Sequence, residues 1–67
     1  MKENRLREIR TRRGMTLSAL AIMADVEPSL LSLVERGKRA SPRTASKLAG
    51  ALGLPVKNVF PNLEPRA

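Results

Sequence analysis

Residues 16–35 read TLSALAIMADVEPSLLSLVE, and this stretch decides the fold. Its first half predicts a short helix. Thr16 suits the N-cap position, because its hydroxyl can accept a hydrogen bond from an unpaired N–H one turn later. Leu20, Ala21 and Ala24 then recur at a spacing that places them on one apolar helix face. The stretch therefore begins with a helix that packs by that face.

A second short helix follows after a tight turn. Asp25 interrupts the apolar face, and aspartate tolerates turns because it hydrogen-bonds its own backbone. Pro28 suits a first helical position, where no N–H is needed. Leu31 and Val34 form the inward face, and Gly37 supplies permissive backbone beyond the helix end. Such a pair is an ordinary αα-corner, a DNA-reading helix-turn-helix or a protein-docking pair, and this stretch alone does not decide between them.

Three more helices are predicted around this pair, and no strand. The first covers residues 3–13, the next begins at Ser41 and Pro42 and ends at Gly53, and the last covers residues 56–60. Their apolar faces consist of Leu6 and Ile9, of Ala45, Leu48, Ala49 and Leu52, and of Val56, Val59 and Phe60. We expect these three helices to hold the central pair at a fixed angle.

Length and composition exclude most catalytic chemistry. The 67 residues make one small domain, assigned to residues 1–60. Residues 61–67 hold two prolines and are expected to form an extended or disordered tail. Without cysteine or histidine the chain lacks zinc thiolates, disulfides and the usual general base, so we expect no enzyme, no metal and no cofactor. The longest apolar run, residues 19–24, is too short to span a bilayer, and no membrane partner is expected.

The net charge of +7 and the isoelectric point near 11.5 are the strongest signals in the composition. In so small a domain they indicate a polyanionic partner. The basic residues form two clusters, of which the first is Lys2, Arg5, Arg7, Arg10, Arg12 and Arg13 and the second is Arg36, Lys38, Arg39, Arg43 and Lys47. Clustering of this kind is what binding to phosphates requires.

Three segments together give the chain a resemblance to a known family. They are ERGKRxxP at residues 35–42, LA at residues 20–21 and LAGALG at residues 48–53. With them, residues 4–60 resemble the repressor/Cro-type, or XRE-type, helix-turn-helix DNA-binding domain. The resemblance implies an all-α, compact five-helix domain like that of lambda repressor, with the helix-turn-helix at helices two and three. It also implies binding to double-stranded DNA as a homodimer, with helix three in the major groove.

The resemblance also assigns roles to individual residues. The residues of helix three that would face the bases are Pro28, Ser29, Ser32 and Leu33. The residues that would lie near phosphates or the flanking minor groove are Thr16, Leu17, Lys38, Arg39, Arg43 and Thr44. Arg10 and Glu35 match a buried ion pair that ties helix one to helix three in the family. We expect a transcription regulator, acting as a repressor, that works in the cytoplasm on the nucleoid.

The sequence departs from the family pattern on the surface that would face DNA. Leu17 stands where the family usually has a phosphate-binding glutamine, Asp25 where it has glycine, and Glu27 where it has serine or threonine. The readout positions hold no Arg, Lys, Gln or Asn, the side chains that make bidentate contacts with bases. Of Leu17, Leu30 and Leu33, one or two, and Leu30 before Leu33, extend the core in the simpler interpretation; an exposed patch of all three would instead mark a site for a partner protein. A protein-interaction module with only non-specific DNA affinity therefore remains the alternative to a sequence-specific regulator.

The homodimer is expected to form through the C-terminal helix. Leu63 lies beyond the compact core and needs cover. The predicted contact consists of Val56, Val59, Phe60 and Leu63. A monomer with a frayed tail is the alternative.

Overall fold

The computed structural model describes residues 4–61, and these residues form five helices and no strand. The helices are α1 (Leu6–Arg12), α2 (Leu17–Ala24), α3 (Pro28–Glu35), α4 (Pro42–Leu52) and α5 (Val56–Val59). The predicted all-α domain, with the helix-turn-helix at its second and third helices, is therefore confirmed. Residues 1–3 and 62–67 lie outside the described residues, and with them most of the predicted tail and Leu63 of the predicted dimer contact.

Two helices are shorter than predicted. α1 begins at Leu6 and not at residue 3; Arg5 holds the N-cap position, and the side-chain oxygen Oδ1 of Asn4 accepts the N–H of Leu6, which has no partner within the helix, at 3.0 Å. α5 ends at Val59, because Phe60 has φ −124° and ψ 72°, outside the helical region. The other three helices begin at the predicted residues, since a cap or a first-turn proline marks each start.

Helices α1 to α4 all end in the same way. The first residue after α2 and α4, and the second after α1 and α3, has a positive φ, and its N–H and the next one bond back to carbonyls of the last turn. These residues are Gly14, Asp25, Gly37 and Gly53, with φ of 68°, 58°, 113° and 71°. After α3, for example, Gly37 N donates to Val34 O at 3.0 Å. Lys38 N then donates to Leu33 O, also at 3.0 Å.

Asp25, between α2 and α3, is the one non-glycine residue with positive φ among residues 4–61. Its φ of 58° and ψ of 49° lie in the left-handed region, which costs a residue with a side chain more than it costs glycine. Lys47 of α4 donates from Nζ to the backbone oxygen of Asp25 at 3.2 Å. The turn of the helix-turn-helix is therefore fastened to α4.

The hydrophobic core lies where α2 packs against α3 and α4, and α5 packs on α4. Leu20 of α2, Leu31 and Val34 of α3 and Leu48 of α4 are fully buried there. Between α2 and α3 the chain bends by 114°. This angle is within the range of about 90–120° that helix-turn-helix units have. Since α3 packs by the face of Leu31 and Val34, its other face is left to solvent.

The residues on either side of α1 connect it to the ends of α3 and α4. The side-chain nitrogen Nδ2 of Asn4, which is buried, donates to Val34 O near the end of α3 at 2.9 Å. Arg13, just past α1, donates from Nη1 to Leu52 O at the end of α4 at 2.8 Å. Both bonds use carbonyls from a last helical turn, where intrahelical partners run out.

Val59 and Phe60 lie inside the domain, and this corrects the predicted dimer contact. Their exposed fractions are 0% and 4%. Val59 also accepts a hydrogen bond at its backbone oxygen from Arg5 N at 2.8 Å. Because the single domain already covers both side chains, neither is available to a second copy. Of the predicted contact residues that the structure describes, only the half-buried Val56 remains.

No single helix among residues 4–61 has the length and apolar character needed to cross a membrane. α2 and α3 meet that requirement only together, as a bent pair, and only by length and composition. In the folded domain Leu20 and Leu31 of this pair belong to the core.

The left-handed backbone of Asp25 can be tested by substitution. We expect Asp25→Val to lower the free energy of unfolding by about 1–2 kcal/mol, because a β-branched residue is strained at this φ. Asp25→Gly removes the same carboxylate without that strain and should leave the stability unchanged or slightly higher. Urea unfolding followed by circular dichroism measures both. Equal destabilisation by the two variants would show that the carboxylate, and not the backbone conformation, matters.

Candidate nucleic-acid interface

The outward face of α3 carries the four residues predicted to read bases. Pro28 and Ser29 in its first turn are exposed, and Leu33 is 43% exposed. Ser32, one turn after Ser29, is half-buried. These positions are separated by one, three and one residues, a spacing that groups them on the side opposite the buried core residues of the helix. The structure thus brings the predicted readout residues together on one surface.

That surface is chemically plain. It offers two serine hydroxyls, which donate or accept, and one leucine side chain of the kind that can contact a thymine methyl group. Glu27, at the N-cap of α3, is exposed and makes no side-chain capping bond. Its carboxylate interacts favourably with the positive end of the helix dipole but repels phosphate. Any recognition by this face therefore relies on small polar and apolar contacts.

The starts of α2 and α4 are both capped by a hydroxyl. Thr16 Oγ1 accepts from Ala19 N at 3.0 Å, which leaves its own O–H free to donate. Ser41 Oγ accepts from Thr44 N at 3.2 Å and donates to Thr44 Oγ1 at 3.1 Å. The side chain of Leu17 packs against the core, so only its backbone N–H remains for the predicted phosphate contact.

Besides Arg36, which follows α3 directly, the loop after α3 and the first turn of α4 present three free cations. Lys38, Arg39 and Arg43 are exposed, and none forms an ion pair with a residue that the structure describes. The positive φ of Gly37, together with the bond from Lys38 N to Leu33 O, sets the direction in which this loop leaves α3. Residues 38–43 therefore form a basic segment directly after the helix that carries the readout positions. We call these three side chains the basic loop cluster.

Four of the five described arginines of the N-terminal cluster have partners within the domain. Arg5 and Arg12 lie 3.4 Å and 3.5 Å from the carboxylate of Glu8. Arg10 pairs with Glu35, and Arg13 binds the end of α4. Surface pairs of this kind are weak, but they lower the local positive charge. Among the described residues, the exposed cations with neither an ion pair nor a side-chain hydrogen bond are Arg7, Arg36, Lys57 and the three of the basic loop cluster.

Arg10 and Glu35 form the ion pair that the resemblance implies. Arg10 Nε lies 2.7 Å from Glu35 Oε2, and Nη2 donates to Oε1 at 3.0 Å, so the contact is bidentate. Nη1 donates to Met15 O, just before α2, at 2.8 Å. The hydrogen bond to Glu35 raises the pKa of the Arg10 guanidinium, and the charge of Glu35 adds to this rise while burial opposes it. Arg10 therefore stays charged and holds α1, the start of α2 and the end of α3 together.

The alternative patch of three exposed leucines is not formed. Leu17 and Leu30 are half-buried and pack against the core, and only Leu33 of the three is exposed. Instead, Ile22 is 79% exposed and Met23 is 59% exposed, both on α2. The sequence contained this signal, because positions 22 and 23 fall opposite the inward face of α2. The protein-interaction alternative thus loses two of its three leucines, and apolar surface occurs where it was not predicted.

Asn4 is a second residue that the sequence interpretation missed. Its side chain connects the start of α1 to α3. The available signal was an asparagine two residues before the first apolar position of α1, where its side chain can accept a free N–H.

Within residues 4–61 no three Asp or Glu side chains come close enough to hold a metal ion.

These features define a class of protein. A short helix capped at its start, a bend of 114°, a second helix with an outward face and a basic segment after it together form a helix-turn-helix DNA-binding domain. The chain matches the sequence model of the family described as helix-turn-helix over residues 6–57. The chain therefore belongs to the XRE-type helix-turn-helix family. Membership of a DNA-binding family also points away from an enzyme.

The chain is also similar to a bacterial protein described as a transcriptional regulator. The uncharacterized HTH-type transcriptional regulator RghRB of Bacillus subtilis (strain 168) is 37% identical over 57 residues. The matched segment covers 82% of this chain but only 41% of that protein. The similarity thus concerns the helix-turn-helix domain and leaves more than half of the relative without a counterpart here.

The structural weight of the Arg10–Glu35 pair can be measured. We expect Arg10→Ala and Glu35→Ala each to cost about 3–5 kcal/mol, because each leaves a poorly solvated charge without its partner. Arg12→Ala is the matched control, since it removes an exposed arginine of the same helix and should cost about 0.5 kcal/mol or less. Thermal unfolding of the three variants measures these losses of stability. If Arg10→Ala is no more harmful than Arg12→Ala, the pair does not hold the domain together.

Proposed function

We propose that the chain is a sequence-specific, double-stranded DNA-binding transcription regulator that acts as a repressor. The observation that carries the proposal is the exposed face of α3 followed directly by the basic loop cluster, whose three cations have no partner among the described residues. Family membership and the similarity to an HTH-type transcriptional regulator of Bacillus subtilis support DNA-binding regulation. A domain this small represses most simply by covering a site on DNA, in the cytoplasm, where the nucleoid is.

In this proposal α3 enters the major groove and the basic loop cluster binds the flanking phosphates. Lys38, Arg39 and Arg43 supply most of the affinity, because neutralised phosphates release condensed counterions. The O–H of Thr16 and the first backbone N–H groups of α2 and α4 add hydrogen bonds to phosphate at the positive ends of two helix dipoles. Thr44, whose backbone N–H donates to the capping hydroxyl of Ser41, lies near phosphate at the start of α4.

Sequence selectivity comes from the outward face of α3. Leu33 contacts thymine methyl groups, and Ser29 and Ser32 hydrogen-bond to base edges without strong preference. Pro28 faces the bases from the first turn of α3 and offers them an apolar contact. Since no bidentate contact is available on this face, a further part of the selectivity comes from DNA shape and deformability.

The functional unit on DNA is proposed to be a homodimer on a two-fold symmetric site. Helix-turn-helix dimers bind half-sites about one helical turn apart. Because Val59 and Phe60 lie in the core, the contact between copies would use the remaining surface of the C-terminal region, including Val56. Sedimentation of the chain with and without duplex DNA tests this assembly.

Salt dependence tests the role of the basic loop cluster. With three phosphates neutralised, log K should fall with log salt with a slope of about −3 or steeper. Lys38→Gln and Arg43→Gln should each make this slope less steep by about one and weaken binding to all duplexes alike.

Lys57→Gln provides the matched control, since it removes one exposed positive charge on α5, the helix that packs on α4. It should change the slope little. Fluorescence anisotropy with a labelled duplex measures all three variants. A flat salt titration, or an equal loss with Lys57→Gln, would contradict the phosphate-binding role.

Selection of bound duplexes from a random pool tests sequence recognition itself. We expect a motif of approximate two-fold symmetry, and we expect Leu33→Ala to change the preferred bases within it while retaining affinity for phosphates. Arg43→Gln is the comparison, because it should lower affinity without changing the motif. Recovery of unrelated sequences from wild-type protein would leave only non-specific binding and would favour the protein-interaction alternative.

A further inference from the structure

α2 is apolar on both of its sides. Its inward side, with Leu20, Ala21 and Ala24, is buried in the core. Its outward side exposes Ile22 and Met23, the two most exposed large apolar side chains among the described residues. A helix that is apolar all round is normally covered all round, and neighbouring exposed apolar side chains mark contact sites. The outward side of α2 is therefore apolar surface that no described part of the chain covers.

A groove of about 380 Å³ lies beside these side chains, at the turn of the helix-turn-helix. It is lined by Ala21, Ile22, Asp25, Val26, Glu27 and Pro28. Ile22 and Val26 give it apolar walls, and the side chain of Asp25 is 98% exposed at its edge. The groove can therefore receive an apolar side chain that arrives next to a charged one.

The charge at this groove is opposite to that of the rest of the molecule. The chain has a net charge of +7, but Asp25 and Glu27 are both acidic and both exposed. The other two carboxylates within residues 4–61, Glu8 and Glu35, bind arginines. Glu27 has no ion pair with a described residue, and Asp25 has only Lys47 at 3.9 Å. The groove is thus a small acidic region that repels phosphate.

This charge decides which occupant fits. A nucleic acid is disfavoured because its phosphates would meet two carboxylates. A second copy that packed symmetrically through the same face would bring four carboxylates together, which is also unfavourable. A segment that combines apolar side chains with flanking Lys or Arg satisfies both the apolar walls and the acidic edge.

We propose that the groove between Ile22 and Glu27 binds a basic, apolar-anchored segment of a partner protein. One apolar side chain of the segment packs against Ile22 and Val26, and a neighbouring Lys or Arg pairs with Asp25 and Glu27. The groove adjoins the proposed DNA interface, because Pro28 belongs to both, but Ile22, Asp25 and Val26 lie outside α3 and outside the basic loop cluster.

Two matched amphipathic peptides test the proposal, with the same leucine spacing but with either lysine or glutamate at the flanking positions. Each is titrated into the isotope-labelled full chain while its amide resonances are followed by NMR. The lysine peptide should shift the resonances of Ile22, Met23, Val26 and Glu27 and saturate. The glutamate peptide should leave these resonances in place and perturb the basic loop cluster instead.

Variants of the groove separate its two components. Ile22→Ser should weaken the lysine peptide roughly tenfold, because it removes the apolar wall. The double variant Asp25→Asn with Glu27→Gln should weaken it by about two- to tenfold, while keeping a residue that tolerates the left-handed turn. Leu33→Ala, an exposed leucine on α3, is the control and should leave peptide affinity unchanged. Ile22→Ser should also retain the wild-type melting temperature and duplex affinity, which separates loss of the groove from loss of the fold or of DNA binding.

Three outcomes would overturn the proposal. One is that the two peptides shift the groove resonances equally, which would remove the role of charge. Another is that the lysine peptide leaves them unshifted at millimolar concentration. The third is that sedimentation shows self-association of the chain alone that Ile22→Ser abolishes, because the face would then be an interface between copies.

Discussion

The position of the helix-turn-helix depends on one ion pair, between Arg10 and Glu35. The guanidinium lies on α1, binds both carboxylate oxygens at the last residue of α3, and donates to the backbone just before α2. Only 13% and 5% of the two side chains are exposed, so water compensates little for the loss of either partner. In a domain of this size the core is small, and one such contact is a large part of what sets the relative orientation of three helices.

The small size of the domain also affects how its charged side chains are used. A chain of 67 residues has few side chains with which to fasten its helix ends, and it uses arginines for this purpose. Arg10 and Arg13 reach across the fold with charge-assisted bonds to a carboxylate and to a carbonyl. The cations of the basic loop cluster make no such contact with the described residues, so they remain available to a ligand. Net charge alone therefore overstates how much of the surface is suited to phosphate.

α2 and the turn after it serve two surfaces at once. The inward side of α2 supports α3, and its outward side adjoins an acidic groove. Asp25 takes part in both, because its left-handed backbone reverses the chain while its side chain stays in solvent. Glycine would satisfy the backbone more easily. The carboxylate at this position gives the proposed groove its exposed acidic edge.

The sequence by itself determined where α2, α3 and α4 begin and where four helices stop, because caps, first-turn prolines and left-handed stops act between residues a few positions apart. It also determined which of their faces are apolar, through periodicity. Only the tertiary structure decided that Phe60 is core, that Leu17 packs inward, that Ile22 stays uncovered and that Arg13 is occupied. These outcomes depend on contacts between distant parts of the chain, such as Arg13 with the carbonyl of Leu52, 39 residues away. No local pattern contains that information, since the partner is chosen by how the helices pack.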